Sequence, residues 1–200
     1  SKWLVLRRLS QIAILATFLL GPWAGIWIIK GNLSSSLLLD TVPMTDLLTF
    51  AQVLAARFTA VTSQAIIGAG VVLLFYLLIG GRGFCAWVCP MNIVTDAAFW
   101  LRRKLRIPAG SAPARETRYW LLGMVLLLAF VTHSLAYELI NPVSMLHRGL
   151  FYGMGLGWAI ILAVFLFDLL IAKRGWCSHL CPTGALYGVV GRLGLIKVRA

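Results

Sequence analysis

Charge is scarce in this 200-residue chain. Only six residues are acidic and 18 are Lys or Arg, against a hydrophobic fraction of 60%. Four stretches carry no charge at all: Leu9 to Ile29, Phe58 to Gly81, Tyr119 to Tyr137 and Gly149 to Phe167. A soluble domain of this length would not need so much apolar surface. As helices, each stretch is long enough to cross roughly 30 Å of hydrocarbon, which takes about 20 residues. Helices suit that task because lipid offers no partner to a free backbone N–H or C=O. The expectation is therefore an all-α membrane protein with four transmembrane helices. A cleavable secretory leader is disfavoured, because the first stretch contains Gly21-Pro22-Trp23 and no small-residue cleavage site follows cleanly. Histidine is scarce too. His133 falls inside the third stretch with no second histidine in a span to pair with it, which excludes a bis-His haem b site.

The charges that are present are mostly positive, giving a net +12. Their distribution speaks against nucleic acid as the partner. Of the 18 basic residues, 15 precede the first span, lie between the second and third, or follow the fourth. Lys30, Arg57 and Arg148 are the exceptions. By the positive-inside rule this puts both termini in the cytoplasm and the chain in a bacterial inner membrane as a multi-pass protein.

Cysteine is the scarcest reactive residue, and all four copies are spent on one motif. "FCAWVCPMN" and "WCSHLCPTG" both contain C-x-x-x-C-P. Cys85 and Cys177 are 92 positions apart, as are Cys89 and Cys181. The chain reads as a single domain over residues 1–200 built from two repeated helical hairpins, about 1–107 and 108–200, each followed by the motif. Helices one and three enter in the same direction, so the repeat is parallel and brings the motifs to one face. Outside the spans, Asp46 to Phe58 has helical spacing with Thr45 as its N-cap. Asn92 to Arg106 suits an interfacial helix.

Four readings of the cysteines are open. A disulfide is disfavoured in a reducing cytoplasm. Four thiolates satisfy a tetrahedral zinc site. Inert cysteines pack as small hydrophobes, but need neither duplication nor a trailing proline. C-x-x-x-C-P also ends the ferredoxin cysteine run, and two such endings supply the four thiolates of a four-iron cluster. In that case Cys85, Cys89, Cys177 and Cys181 share one site, with the prolines discouraging further helix. Gly83 and Gly175, each two residues before a first cysteine, allow close backbone approach.

Together, "WLVLRR", "GPWAGIWI", "GNLSSSLLLDTVPMTD", "FCAWVCPMNIVTD", "NPVSM", "FLFDLL" and "GWCSHLCPTGALYGV" resemble the NapH-type membrane subunit of the periplasmic nitrate reductase electron-transfer system. The resemblance covers nearly the whole chain. It implies a quinol dehydrogenase component that holds a [4Fe–4S] cluster. Electrons would pass from quinol to a NapG-type iron–sulfur protein and on through c-type cytochromes. The family also carries a C-terminal ferredoxin domain with two further four-cysteine motifs, whereas no cysteine follows Cys181 here. A docking or assembly subunit, with cysteines that bind a partner or zinc, is the alternative.

Candidates for proton transfer are Glu138, Asp40 and Asp46 near the outer face and Asp168 inside the fourth span, an ionisable group at membrane depth being costly. Asp168 could equally pair with Lys173 or Arg174. His179, within the second motif, could tune a nearby cluster. Trp23, Trp27, Trp87, Trp120 and Trp176 fall near span ends, as an aromatic belt requires.

Overall fold

In the computed structural model, the residues described are 2–24, 29–31, 34–38, 42–56, 62–81, 83–108, 110, 112–153, 155 and 157–194. Among them are eight α-helices: α1 (Lys2–Ala24), α2 (Leu47–Ala55), α3 (Ser63–Ile79), α4 (Met91–Lys104), α5 (Thr117–Thr132), α6 (Pro142–Tyr152), α7 (Gly157–Leu166) and α8 (Pro182–Leu193). Three strands, β1 (Ile29–Gly31), β2 (Ser35–Leu38) and β3 (Val42–Thr45), lie between α1 and α2. Three five-residue π-turns occupy Phe84–Val88, Phe167–Ile171 and Trp176–Leu180, and a 3₁₀ turn occupies Ala136–Leu139.

The expected four-span architecture is not what forms. Among the described residues no helix is long and apolar enough to cross a membrane. Alone among them in having the length, α1 carries Lys2, Arg7 and Arg8 in its first two turns. The second charge-free stretch yields the 17 residues of α3, about 26 Å at 1.5 Å per residue, before Gly80 turns the chain at φ 99°. The third yields all but the first two of the 16 residues of α5, which stops at His133 in the left-handed conformation at φ 48°. The fourth is divided at Gly153 (φ 87°) between the end of α6 and the ten residues of α7. Absence of charge is thus not continuity of helix. With the spans go the multi-pass inner-membrane location, the cytoplasmic termini, the aromatic belt and the bilayer as partner, because each rested on them. Much of the apolar composition nonetheless faces outward, including Ile67, Leu74 and Phe75 on α3 and Trp120, Leu127 and Val131 on α5.

Nor is the chain all-α. The strands pair in the order β1-β2-β3, all antiparallel, with Ile29 opposite Leu38 and Ser35 opposite Thr45. Gly31 makes the first turn possible: its φ is 113°, and a Cβ there would meet Ser35 O at 2.3 Å. The expected helix after the sheet is present as α2, but Asp46 caps it in place of Thr45, accepting the N–H groups of Leu48 (3.2 Å) and Thr49 (3.4 Å). The second expected helix is α4.

The buried core gathers Tyr76 of α3, Phe84 of the first π-turn, Met91 of α4, Val143 of α6, Val164 of α7 and Tyr187 of α8. At its edge α3 and α8 meet backbone to backbone. A Cβ at Gly81 would fall 1.8 Å from Tyr187 O. Both halves of the chain therefore converge on the cysteine turns.

Candidate functional site

The two C-x-x-x-C-P motifs form the same backbone structure. Each is a π-turn closed by the N–H of its second cysteine on the carbonyl five residues back: Cys89 on Phe84 O at 3.0 Å, Cys181 on Trp176 O at 2.9 Å. Cys89 then leaves the turn at φ −66°, ψ 118° and Cys181 at φ −71°, ψ 113°. Proline follows in both cases: the cysteine before it is extended, which ends the π-turn as the spacing had suggested, and the proline also begins the next helix, at the N-cap of α4 (Pro90) and the first position of α8 (Pro182). There the missing N–H costs nothing. The second cysteine of each pair thus lies at a helix N-terminus, where the partial positive charge of the helix favours a thiolate.

None of the four cysteines is in a disulfide among the described residues; Cys89 is buried and the others are half-buried. Burial raises the Cys89 thiol well above its ordinary value, and the charges of Cys177, Cys85 and Cys181 raise it further. Cys177 is raised by burial first, then by Cys181 and Cys85. Among the described residues no group of three or more His, Cys, Asp or Glu could hold a metal ion. A tetrahedral zinc site needs four donors about 2.3 Å from a single centre. A four-iron cluster spreads its thiolates over separate irons and accepts a wider set. Backbone N–H groups also aim at sulfur, as a cluster's anionic ligands require: Gly184 N–H reaches Cys181 Sγ at 3.4 Å, and Met91 N–H lowers Cys89 against the effect of burial.

The turns are held by different means. From α1, Arg7 Nε donates to Ala86 O (3.1 Å), Ser10 Oγ to Trp87 O (3.2 Å), and Gln11 Nε2 to Ala86 O (3.1 Å) and Cys89 O (3.3 Å). These carbonyls belong to a single turn that cannot satisfy them internally. Asn92 adds a bond to Cys85 O at 3.2 Å. The second turn is held from its N–H side, where the Asp168 carboxylate accepts Trp176 N–H at 2.9 Å. Asp96 of α4 ties the two surroundings together by pairing with Arg8 of α1 and, at 2.7 Å, with Arg174 just before the second turn.

Asp168 is thus neither paired with Lys173 nor directed toward a surface. It is 1% exposed, and burial pushes it up to about 6, against the pull of the Trp176 and Gly175 N–H groups and of Arg102 and Arg174. Gly175 beside it has no room for a side chain: a Cβ would meet Ala172 Cβ at 2.5 Å and the Phe167 ring at 2.6 Å. Gly83, the equivalent residue, would make only ordinary contacts from 3.6 Å. The close approach expected of both glycines holds for one.

Of the other candidates, Glu138 sits in the 3₁₀ turn and accepts the hydroxyls of Ser34 (2.7 Å) and Ser144 (2.5 Å). Asp46 accepts the Tyr187 hydroxyl at 2.8 Å, and burial raises it, with Glu138 adding to the rise. Asp40, Arg57 and Trp27 lie outside the described residues. His133 ends α5 and its Nδ1 lies 3.0 Å from Ala56 O. His179 is carried on the second turn with a buried Nδ1 that bonds to nothing among the described residues. Arg7, Gln11, Asn92 and Asp96 were not singled out by sequence. Arg7 and Gln11 reach Ala86 from 79 and 75 positions away, Arg7 reaches Asn92 from 85 and Arg8 reaches Asp96 from 88, while Asn92 also bonds Cys85 O seven positions away.

A family of 4Fe–4S binding domains matches the chain twice, over residues 64–108 and 150–200, so that each match contains one motif. The ferredoxin-type protein NapH of Escherichia coli is 51% identical over 199 residues, covering all of this chain and 69% of its own length. The methylamine utilization ferredoxin-type protein MauN of Methylorubrum extorquens is 49% identical over 199 residues, with the same coverage. A regulatory protein, NosR of Pseudomonas aeruginosa, is 30% identical over 128 residues, covering 60% of this chain and 18% of its own. No solved structure matches.

Proposed function

We propose the following function from the premise that this chain belongs to the family of ferredoxin-type proteins that includes NapH and MauN. It is an electron-transfer protein with an iron–sulfur binding domain. In our reading Cys85, Cys89, Cys177 and Cys181 together hold one [4Fe–4S] cluster, quinol is the electron donor, and the acceptor is an iron–sulfur protein feeding c-type cytochromes in a nitrate-reductase electron-transfer system. The observation that carries this reading is the pair of equivalent π-turns, one from each half of the chain, each closed on its second cysteine and each leading that cysteine into a helix N-terminus.

When bound, such a cluster supplies reversible one-electron chemistry. The chain supplies the setting. Two helix N-termini and the Gly184 N–H stabilise negative charge on the sulfurs. Packing by Phe84, Met91 and Tyr187 shields one flank from water. The α1 clamp and the Asp168 cap fix the two backbones that set the sulfur positions, and partners of this kind orient ligands and tune the centre.

Anaerobically prepared protein, mixed with a water-soluble quinol analogue, should develop the paramagnetic signal of a reduced four-iron cluster. If dithionite elicits that signal and the quinol does not, the donor assignment is wrong.

A further inference from the structure

One cavity in the molecule stands directly behind a cysteine turn. Its volume is about 360 Å³. Phe84 and Val88, which immediately precede Cys85 and Cys89, form one wall. Phe75 and Tyr76 of α3 and Phe18 of α1 form others, and the lining is mostly apolar. The aromatic arrangement is fixed rather than loose. Phe84 and Tyr187 stack at 4.9 Å with planes 14° apart, and the Tyr76 ring meets Tyr187 edge-on at 4.9 Å. A flat six-membered ring finds parallel and edge contacts there.

The charged group facing this space is Asp46. Its position is set twice over, by the two N–H groups of α2 that it caps and by the Tyr187 hydroxyl at 2.8 Å. Thr45 and Ser36 also line the cavity. A carboxyl raised by burial takes up and releases a proton closer to neutral pH than an exposed one, which suits a general base. The cavity wall is continuous with the cysteine turn, since the Tyr76 ring meets the Phe84 ring edge-on at 6.1 Å and Phe84 directly precedes Cys85. An apolar pocket with few convergent polar groups is the usual form of a small-ligand site. The ligand chemistry that matches is an aromatic ring bearing a hydroxyl that donates to a carboxylate.

We propose that this cavity binds the ring of a hydroquinone, with one hydroxyl on Asp46 and the ring against Phe84 and Tyr76. The proposal rests on the quinol reading above and adds where the quinol sits. Oxidation of a hydroquinone to a quinone releases two protons and two electrons. Asp46 takes the proton of the hydroxyl it binds, and the other hydroxyl's proton leaves to water. Cys85, Cys89, Cys177 and Cys181 would hold the iron–sulfur centre that supplies one-electron acceptance, and the two electrons would go on in turn to the acceptor named above.

The test uses the intact chain with its iron–sulfur centre and a fluorescent hydroxyquinoline analogue of the quinol as binding probe. Val71→Phe and Val72→Phe each fill the cavity from α3, a helix that carries no cysteine. Each should weaken probe binding about tenfold or more, equivalent to about 1.4 kcal/mol, and leave iron content and the dithionite-reduced signal unchanged. Asp46→Asn keeps a good helix cap and should bind the probe nearly as well. It should slow reduction by the quinol analogue about a hundredfold, the scale of a lost general base. Wild-type probe affinity in both filled variants, or wild-type reduction in Asp46→Asn, overturns the site. If quinol still reduces such variants, the quinol reading survives and its binding place is elsewhere. If the unaltered protein neither binds the probe nor is reduced, both fall.

Discussion

The two cysteine turns share a backbone and differ in what holds it. The first is gripped on its carbonyl side by Arg7, Ser10 and Gln11, which reach across from α1. The second is gripped on its N–H side by Asp168, from the π-turn just before it. A five-residue turn leaves groups of both kinds unsatisfied, and each repeat has satisfied a different set. The first turn therefore depends on a distant helix and the second on a buried carboxyl that accepts its N–H. The same motif can be duplicated with identical spacing and still draw its rigidity from unrelated parts of the chain.

That contrast can be broken most strongly at Asp168. Its carboxyl stands at about 6, above the ordinary aspartate value, because burial disfavours the charge. The stability it contributes is then complete below about pH 4 and lost as pH rises through about 6. In Asp168→Asn the amide oxygen can still accept Trp176 N–H, and no charge is buried. Relative to that variant the parent should lose on the order of 3 kcal/mol between pH 4 and 7, the cost of ionising the buried carboxyl. Denaturant unfolding of both proteins across that range measures it. Parallel curves would mean that Asp168 carries no such penalty.

The glycines before the turns offer a smaller effect. Gly175→Ala drives a methyl into Ala172 and the Phe167 ring and should cost about 1–3 kcal/mol, as overpacking does. Gly83 sits at helical φ −57° with ordinary space around it. Gly83→Ala should stabilise by about 0.4–1 kcal/mol, since it restricts the unfolded chain at no native cost. Thermal unfolding should therefore move in opposite directions for the two variants. A comparably small effect, about 1 kcal/mol, is expected from Gln11→Ala, because Arg7 still bonds Ala86 O when Gln11 is gone. A larger loss than at Asp168 would invert the comparison.

The motif pair and its 92-residue repeat were readable from four cysteines and two prolines, and so were α2 and α4, whose apolar spacing is regular. The helix bounds were not. Gly80, His133 and Gly153 stop helices inside stretches that hydropathy treats as uniform, because a positive φ is a property of one residue and not of a window. The sheet was missed because its strands are three and four residues long, too short for alternation to register. Asp168 and Asp46 stood out as isolated acids in apolar surroundings, but their partners, Trp176 N–H and the Tyr187 hydroxyl, could be found only once the chain was folded. The α1 clamp lay further out of reach, since nothing local in "RRLSQ" points to residues 86–89.

The central claim is that Cys85 and Cys89 from one turn and Cys177 and Cys181 from the other serve a single centre. Iron and acid-labile sulfide, measured per chain in anaerobic protein before and after Cys85→Ala, Cys177→Ala and the double substitution, test it most directly. About four irons are expected in the parent, as one four-iron cluster requires. Either single substitution should destroy that centre, and the double should cost little more than one, because residues acting as a unit are not additive. Zinc in place of iron, or a parent whose two halves lose metal independently and additively, would contradict it.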